Sequence, residues 1–334
     1  MIKLLLSLLI GLLIIIPVAG CAPRQEAPIG MAVEFTNHAA CAYTSFDKGW
    51  YEDEGLSLST YDSYATGMAL SAALTRGDIQ VAYTCLVPAI NAYANAEVPI
   101  KVVAGTHKYG YALMVNPDKV KSVKDLEQEG LRIGCVQEGG AVDVVMNKLI
   151  DRYGLDKEKV LNNLQRMNPT KQMLTVKMGK LDAAFLPEQW STMTEDYGFE
   201  MLMSTQDVWP EMQGSVLVVK TDLIENNPEL VKKLVKITGK ATDWINAHPE
   251  EASEVLARQL GAVGDSLQPS EVAGLSTQME ITPEVMLKSV NRMDFTTDID
   301  PAMVQEIIDY VAELGYIKSS FDADELLDLS FLND

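Results

Sequence analysis

Positively charged residues and the signatures of common enzymes are scarce in this chain. Its 334 residues include 27 Lys and Arg against 47 Asp and Glu, which gives a formal net charge of -20 at pH 7. A surface this acidic repels nucleic acid and anionic lipid, so neither is expected as a partner. No Gly-x-Ser-x-Gly, His-Glu-x-x-His or P-loop pattern occurs, and we therefore expect a protein that is not an enzyme.

Cysteine is also rare, with four in the whole chain. Cys21 belongs to the N-terminal segment, and Cys41, Cys85 and Cys135 remain as an odd number. One disulfide with one free thiol and three free thiols are both compatible with this count. No pair has the short spacing of a zinc site, and we expect neither a metal nor a cofactor.

The N-terminus has the features of an export signal. A single charge at Lys3 is followed by a nearly continuous apolar run from Leu4 to Val18 and by small residues before Cys21. The run is shorter than the roughly 20 residues that a transmembrane helix needs. Residues 1–20 are therefore predicted to be a signal peptide, and residues 21–28, with two prolines, a tether.

The residues Val18-Ala19-Gly20-Cys21 resemble the lipobox of prokaryotic lipoproteins. That resemblance implies lipidation of Cys21 and attachment to the extracytoplasmic face of the cell membrane. An ordinary secretory signal and an uncleaved anchor are the two alternatives, and the uncleaved anchor gives the same topology.

Beyond the tether, short apolar runs alternate with longer amphipathic ones, which is typical of an α/β fold. Strands are predicted at Ile29–Phe35, Leu56–Tyr61, Ile79–Tyr83, Ile100–Ala104, Tyr111–Val115, Arg132–Val136, Ala183–Leu186 and Ser215–Val219. Helices are predicted at Ala42–Glu54, Gly67–Thr75, Val87–Ala96, Ala141–Tyr153, Met173–Met178, Glu229–Ala247, Pro249–Leu260, Pro269–Gln278, Pro283–Arg292 and Pro301–Leu314. Prolines mark the starts of the late helices because the first helical turn does not use their missing N–H.

Five stretches in this order carry a wider resemblance. They read SFDKGWYEDEGLSLSTY, ALTRGDIQVAYTCLVPAINAYA, SVKDLEQEGLRIGCVQEGGA, MLTVKMGKLDAAFLPEQW and ATDWINAHPEEASEVLA. Together they resemble the substrate-binding proteins of ABC importers for nitrate, taurine, alkanesulfonates and thiamine precursors. The resemblance covers nearly all of the chain after the tether.

This family implies a type 2 periplasmic-binding-protein fold, in which two α/β lobes flank a cleft. Lobe one would comprise residues 29–115 and 215–334, lobe two residues 116–214, and two crossover strands would form the hinge. The C-terminal helices would pack on lobe one. The implied function is capture of a small molecule by hinge closure and delivery to a permease and its ATPase, and we expect a monomer.

In open α/β sheets, ligands bind beyond the carboxyl ends of the strands, where loops lead into helices. This rule and the resemblance select the following ligand-binding candidates: Asn37, His38, Tyr43, Thr84, Cys85, Thr106, His107, Glu138, Gly139, Gly140, Glu188, Trp190, Trp209 and Gln213.

Three features of these loops bear on the cargo. Gly139 and Gly140 either expose N–H groups to an anion or only form a strand-to-helix turn. Glu188 either accepts hydrogen bonds from an amino group or only stabilises a helix N-terminus. No candidate loop contains the arginine that usually pairs with a buried anion. The cargo is expected to be a sulfonate or taurine-like compound, or a nitrogen heterocycle.

Two further functions remain open. A sensor subunit that presents its ligand to a membrane kinase would have the same fold and anchor. A few relatives of this fold are enzymes of thiamine-pyrimidine synthesis that consume their own residues, and His38 and Cys41 keep that alternative open. His38, His107, Cys41 and Cys85 could also bind a metal, but hydrogen bonding to ligand or backbone is the favoured role of the histidines.

Overall fold

The computed structural model describes residues 28–267 and 281–333, with backbone alone for 265–267. The predicted signal peptide, most of the tether, the lipidation site Cys21 and the predicted helix Pro269–Gln278 lie outside the described residues.

Within these ranges, ten strands form two five-stranded sheets. They are β1 (Ile29–Glu34), β2 (Leu58–Tyr64), β3 (Val81–Cys85), β4 (Ile100–Lys108), β5 (Tyr111–Val115), β6 (Ile133–Cys135), β7 (Leu164–Arg166), β8 (Ala183–Pro187), β9 (Glu200–Ser204) and β10 (Gln213–Lys220).

The helices in the described ranges connect and cover these sheets. They are α1 (Ala40–Asp47), α2 (Trp50–Asp53), α3 (Gly67–Arg76), α4 (Leu86–Ala96), α5 (Ala141–Arg152), α6 (Lys157–Asn162), α7 (Pro169–Lys177), α8 (Glu188–Thr194), α9 (Thr205–Val208), α10 (Thr221–Asn226), α11 (Pro228–Ala247), α12 (Pro249–Leu267), α13 (Pro283–Val290), α14 (Pro301–Glu313) and α15 (Ala323–Leu326). Short 3₁₀ turns occur at Asn37–Ala39, Val123–Glu127, Glu195–Tyr197 and Leu329–Asn333.

The first sheet has the order β2-β1-β3-β10-β4. Strand β1 runs parallel to β2 and β3, whereas β10 runs antiparallel to β3 and β4. Strands β1 and β3 are buried along their whole length, because helices cover both faces of the sheet. Their carboxyl ends, at Glu34 and Cys85, therefore meet at one edge.

The second sheet has the order β7-β6-β8-β5-β9, and β5 is antiparallel to both of its neighbours. Strand β5 was expected to close lobe one, but it pairs only with strands of the second sheet. The chain crosses between the sheets at Tyr109 and Gly110, which have φ values of 63° and 96°, conformations that permit a sharp change of direction. It returns before Gln213, where β10 pairs with Lys108 of β4.

Several element boundaries differ from the predicted ones. The single helix predicted at Ala42–Glu54 is two helices, because Gly49 has a φ of 71° and ends the regular turn. Strands β7 and β9 were not predicted, and both consist mostly of exposed or half-exposed residues.

The C-terminal helices pack mainly on the first sheet and its helices, as predicted. Helices α11 and α12 contact α1, and α14 and α15 contact α4 and β4. Helix α13 differs, because it also contacts α8, which follows the second sheet. The two lobes are therefore bridged outside the crossover segments. This two-sheet α/β architecture confirms the predicted fold class.

Candidate functional site

A cavity lies between the two lobes, beyond the carboxyl ends of β1, β3 and β8. Its volume is about 50 Å³, several times the roughly 10–15 Å³ that one water requires. A compact molecule fits this space, and a larger one would require the lobes to separate. The cavity is lined by Glu34, Phe35, Thr36, Ala65, Thr66, Gly67, Met68, Cys85, Pro88, Tyr111, Val136, Gln137, Gly140, Ala141, Val142, Pro169, Pro187 and Trp190.

Glu34 contributes a buried carboxyl group to the wall of the cavity. It accepts hydrogen bonds from the Thr84 hydroxyl at 2.7 Å and from the Cys85 backbone N–H at 2.6 Å. Burial raises the pKa of the Glu34 carboxyl, and these hydrogen bonds offset the increase in part. A Cβ at Gly67 would lie 2.4 Å from Glu34 Oε1, so the glycine is required for the carboxyl group to occupy this place.

Cys85 and His38 lie next to Glu34. The Cys85 sulfur is 3.2 Å from Glu34 Oε2 and 3.4 Å from His38 Nδ1. On the other side of the ring, His38 Nε2 donates a hydrogen bond to the Gly110 carbonyl at 2.6 Å. Burial lowers the pKa of His38 to about 4, so the ring is neutral at pH 7. Burial also raises the pKa of the Cys85 thiol, and Glu34 adds to this increase.

Tyr111 brings a hydroxyl group from the second sheet into the same cavity. The side chain is 2% exposed. Its hydroxyl approaches the Cys85 thiol but makes no hydrogen bond of normal geometry within the described part of the chain. A buried hydroxyl without a partner is costly, and a bound molecule could supply one.

The rest of the wall is largely apolar. Trp190 and Phe35 pack edge to face with their ring centroids 5.7 Å apart, and prolines from both lobes complete the surface. No Lys or Arg is among the lining residues in the described ranges. The lining is thus mostly apolar, and its polar side chains are those of Glu34, Cys85, Tyr111, Thr36, Thr66 and Gln137.

The cavity brings together three of the predicted ligand-binding residues, namely Cys85, Gly140 and Trp190. His38 and Thr84 lie one layer behind, in contact with Cys85 and Glu34. Gly140 is the N-cap of α5. All three cysteines in the described residues are free thiols, which decides between the two alternatives left by their number.

Four other predicted residues are buried away from the lining. The Tyr43 hydroxyl donates to the Glu34 carbonyl at 3.1 Å, and Gln213 Nε2 donates to the His107 carbonyl at 3.1 Å. The His107 ring lies 4.6 Å from the ring of His38. Thr106 is fully buried. These residues support the cavity from behind.

Asn37, Glu138 and Gly139 lie outside the lining. The Asn37 N–H donates to Gln189 Oε1 at 2.7 Å and thereby joins the two lobes. Glu138 is exposed and lies 3.9 Å from an Arg166 nitrogen. Gly139 adopts a φ of 76°, and its carbonyl accepts a hydrogen bond from Asn91 at 3.0 Å.

Glu188 lines a second, more polar cavity on the crossover segments rather than the first one. Its carboxyl accepts a hydrogen bond from the Thr192 hydroxyl at 2.8 Å and lies 3.4 Å from Arg292. Burial raises the pKa of Glu188 to about 7, although Thr192 and Arg292 act in the opposite direction. The candidate loops contain no arginine, but Arg292, in the segment after α13, approaches Glu188.

Trp209 is buried near α14, where its indole N–H donates to Glu306 at 2.9 Å and its ring packs edge to face on Tyr310. It does not line the inter-lobe cavity.

Glu34 and Tyr111 are the functional candidates that the sequence reasoning missed. Both fall inside predicted strands, whereas the candidates were taken from the loops that follow strands. One signal was available, because Glu34 is the only charged residue in the apolar run IGMAVEF. A charge at the end of a buried strand marks a polar cavity or a pairing partner.

Two lobes with a cavity between them at the carboxyl ends of their strands define a ligand-binding protein of the periplasmic type. The chain belongs to the NMT1-like family, whose family model matches residues 22–260. It is 23% identical over 269 residues to a Brucella abortus (strain 2308) protein named as a putative binding protein, covering 79% of this chain and 81% of that one.

Solved structures share the fold. The ligand-binding component of an ABC-type import system from Staphylococcus aureus, with zinc bound, has a TM-score of 0.74 at 16% identity, covering 92% of this chain and 99% of that one. The alkanesulfonate-binding protein from Xanthomonas axonopodis pv. citri, bound to MOPS, has a TM-score of 0.73 at 14% identity, with coverages of 91% and 99%. The nitrate-binding protein from Synechocystis PCC 6803 has a TM-score of 0.72 at 15% identity, with coverages of 92% and 87%.

Within the described ranges, no helix combines the length and apolar character needed to cross a bilayer.

Proposed function

We propose that this protein is the extracytoplasmic substrate-binding component of an ABC importer and carries a compact, nitrogen-bearing organic solute. The family and the names of the structural neighbours support the transport role. Binding rather than catalysis is the proposed activity, and the partners are a permease and its ATPase. A lipid on Cys21 would hold the monomeric protein at the membrane.

The observation that carries the cargo assignment is the lining of the inter-lobe cavity. Burying a sulfonate or nitrate without a cation would cost several kcal/mol, and no Lys or Arg lines the cavity in the described residues. The carboxyl group of Glu34 makes the wall less favourable still for an anion. An uncharged or cationic nitrogen compound suits the carboxyl and hydroxyl groups and the apolar walls of Trp190 and Phe35.

Capture would work by closure of the two lobes. Glu34 and Cys85 reach the cavity from the first sheet, and Tyr111 and Trp190 reach it from the second sheet and α8. A molecule that contacts both sets favours the closed state over the open one. The importer would then recognise the closed form.

Native purification followed by denaturation and mass spectrometry of the released small molecule tests the cargo class. We expect a nitrogen heterocycle or amine, and in a thermal-shift series that compound should raise the melting temperature with the logarithm of the ligand excess. Tyr111→Phe should weaken binding by about tenfold, since one hydrogen bond of about 1.4 kcal/mol corresponds to that factor. Release of a sulfonate or nitrate, or stabilisation by these anions alone, would contradict the proposal.

A further inference from the structure

Three potential metal ligands converge at the cavity wall. Single ligand atoms of Glu34, His38 and Cys85 all lie within 4.8 Å of one another, and all three residues are buried. The Cys85 thiol has one proton, yet it faces two acceptors, Glu34 Oε2 at 3.2 Å and His38 Nδ1 at 3.4 Å. A cation at the centre would interact favourably with all three lone pairs.

The orientation of His38 suits a metal ligand. Because the Gly110 carbonyl can only accept, the hydrogen bond from Nε2 at 2.6 Å places the ring proton on that nitrogen. Nδ1 of the neutral ring is then left with its lone pair directed at the cluster. Metal-binding histidines commonly donate their other N–H to a backbone carbonyl in this way.

The other two ligands are also held from behind. Glu34 Oε1 accepts from Thr84 and from the Cys85 N–H, which leaves Oε2 on the side of the sulfur. The Ser215 hydroxyl donates to the Cys85 sulfur at 3.5 Å. Such outer contacts fix the ligands of a metal ion and help to stabilise a thiolate and a carboxylate.

We propose that Glu34, His38 and Cys85 bind one divalent transition-metal ion, with zinc as the best match. A tetrahedral zinc ion, with bonds of about 2.3 Å to sulfur and about 2.0 Å to nitrogen or oxygen, holds its ligand atoms roughly 3.5 Å apart. The two distances from the Cys85 sulfur, 3.2 and 3.4 Å, are close to this spacing. A thiolate with an imidazole favours zinc or copper over magnesium or calcium.

Three protein ligands leave a fourth position free, and Glu34 and Cys85 both line the cavity. Tyr111, whose hydroxyl makes no hydrogen bond of normal geometry in the described residues, lines the same cavity. When the ion binds, the thiol proton is released to solvent, and the two anionic ligands cancel the charge of the ion. A neutral nitrogen donor is then the fitting fourth ligand. This last step rests on the proposed transport function, whereas the metal site itself does not.

This inference revises the expectation, drawn from cysteine spacing, that no metal is bound. The spacing rule detects pairs within one loop, whereas these ligands come from β1, from the turn before α1 and from β3.

Zinc binding to the purified protein without cargo tests the site. All proteins would carry Cys21→Ser, which removes the thiol outside the described fold. After EDTA treatment and dialysis, zinc content and affinity would be measured by elemental analysis and by competition with a chromogenic chelator. We expect one zinc per chain, at least tenfold weaker binding for Glu34→Gln, His38→Gln and Cys85→Ser, and no response to magnesium.

Matched controls are Cys135→Ser, a buried thiol outside the cluster, and His248→Gln, an exposed histidine; both should bind zinc as the parent does. Absence of stoichiometric zinc, or equal affinity in the cluster variants and the parent, would overturn the proposal. If a cluster variant does not fold, the parent loaded with cobalt decides: a thiolate-to-cobalt charge-transfer band supports the site, and its absence overturns it.

Cargo binding measured with and without EDTA separates the two proposals. Cargo that binds equally well to a protein unable to take up zinc would leave the transport function standing and refute the metal site. A protein that binds zinc at the cluster but yields only an anionic cargo would refute the cargo class and leave the metal site standing.

Discussion

Glu188 shows how the surroundings of one residue can reverse its expected chemistry. The sequence predicted a ligand-binding carboxylate or a simple helix-end acid. The structure buries its side chain beside Thr192 and Arg292, and burial raises its pKa to about 7. The carboxyl group therefore changes its charge within the physiological pH range.

Glu188 should make stability fall as pH rises. Its pKa is about 7 in the folded protein, against an ordinary value of 4.5 for a free glutamate, so between these values the folded state binds more protons than the unfolded state. The free energy of unfolding therefore decreases across this window, by at most about 3 kcal/mol, since one pKa unit is worth about 1.4 kcal/mol. Glu188→Gln should remove this contribution, as urea unfolding at pH 5 and pH 8 would measure.

The neighbours of Glu188 do not titrate in that window. Arg292 remains charged, and the Lys288 and Arg292 side chains lower the pKa of Glu195 despite its partial burial. The variant should therefore gain stability relative to the parent on going from pH 5 to pH 8. An equal pH dependence in both proteins would show that the pKa of Glu188 is not raised.

Single residues at the cavity show the limit of sequence reasoning at this scale. Cys85, Gly140 and Trp190 were predicted because they follow strands or begin helices. Glu34 was missed although its charge in an apolar run was a signal, and Tyr111 could not be selected, because the direction in which a strand residue points depends on its neighbours in the sheet. Arg292 could not be paired with Glu188 at all, since they lie 104 positions apart and only tertiary packing brings them within 3.4 Å.

At the scale of elements, α13 and α8 form a contact that joins the lobes. Arg292, just after α13, donates to Thr192 at 2.9 Å and to Glu195 at 2.6 Å and also faces Glu188. Lys288 pairs with Glu195 as well. Arg292 thus forms ion pairs with two carboxylates, and one of them, Glu188, is buried.

Arg292→Met should destabilise the protein by about 3 kcal/mol at pH 8, because it leaves Glu188 charged and buried without its partner. Urea unfolding measures the loss, which should be smaller at pH 5, where Glu188 is protonated. Arg258→Met is the matched control. Arg258 pairs with Asp47 but is 58% exposed, and exposed pairs contribute about 0–1 kcal/mol. Similar losses in both variants would contradict the assigned role of Arg292.

Elements with strong local signals were predictable, and exposed edges were not. The prolines at 228, 249, 283 and 301 mark the starts of four helices. Strands β7 and β9 lie at the two edges of the second sheet and lack the apolar alternation that identifies a strand. They form because neighbouring strands offer hydrogen-bonding partners, which the local sequence does not reveal.

At the scale of the whole molecule, the two-lobed fold followed from the order of elements and from the family resemblance. The sequence did not predict which sheet β5 joins, because this depends on whether the chain crosses from the first sheet to the second before or after Tyr111. The first crossing occurs at Tyr109 and Gly110, where Gly110 also faces His38 and His107. The hinge and the histidines behind the cavity are therefore packed together.

Hydrogen bonds between α5 of lobe two and the C-terminal segment hold the lobes together away from the cavity. The Tyr310 hydroxyl donates to Asp151 and the Tyr316 hydroxyl to Asp143, both at 2.5 Å. Lys148 pairs with Glu306 at 3.0 Å. None of these hydroxyl, amine and carboxyl groups lines the cavity, so none of them would contact a ligand there directly.

The double variant Tyr310→Phe with Tyr316→Phe should favour the open form. Each lost bond to a carboxylate removes about 1.5 kcal/mol or more from the closed state, and affinity falls with the fraction of closed protein. We expect a larger radius of gyration in small-angle scattering without ligand and at least fivefold weaker binding of the natively purified cargo. Saturating cargo should restore the compact form.

The matched control is Tyr153→Phe. Tyr153 is an exposed tyrosine whose hydroxyl contacts Met203 within lobe two, and its substitution should change neither the radius of gyration nor the affinity. Unchanged scattering together with weaker binding in the double variant would show that these tyrosines act on the cavity rather than on lobe closure.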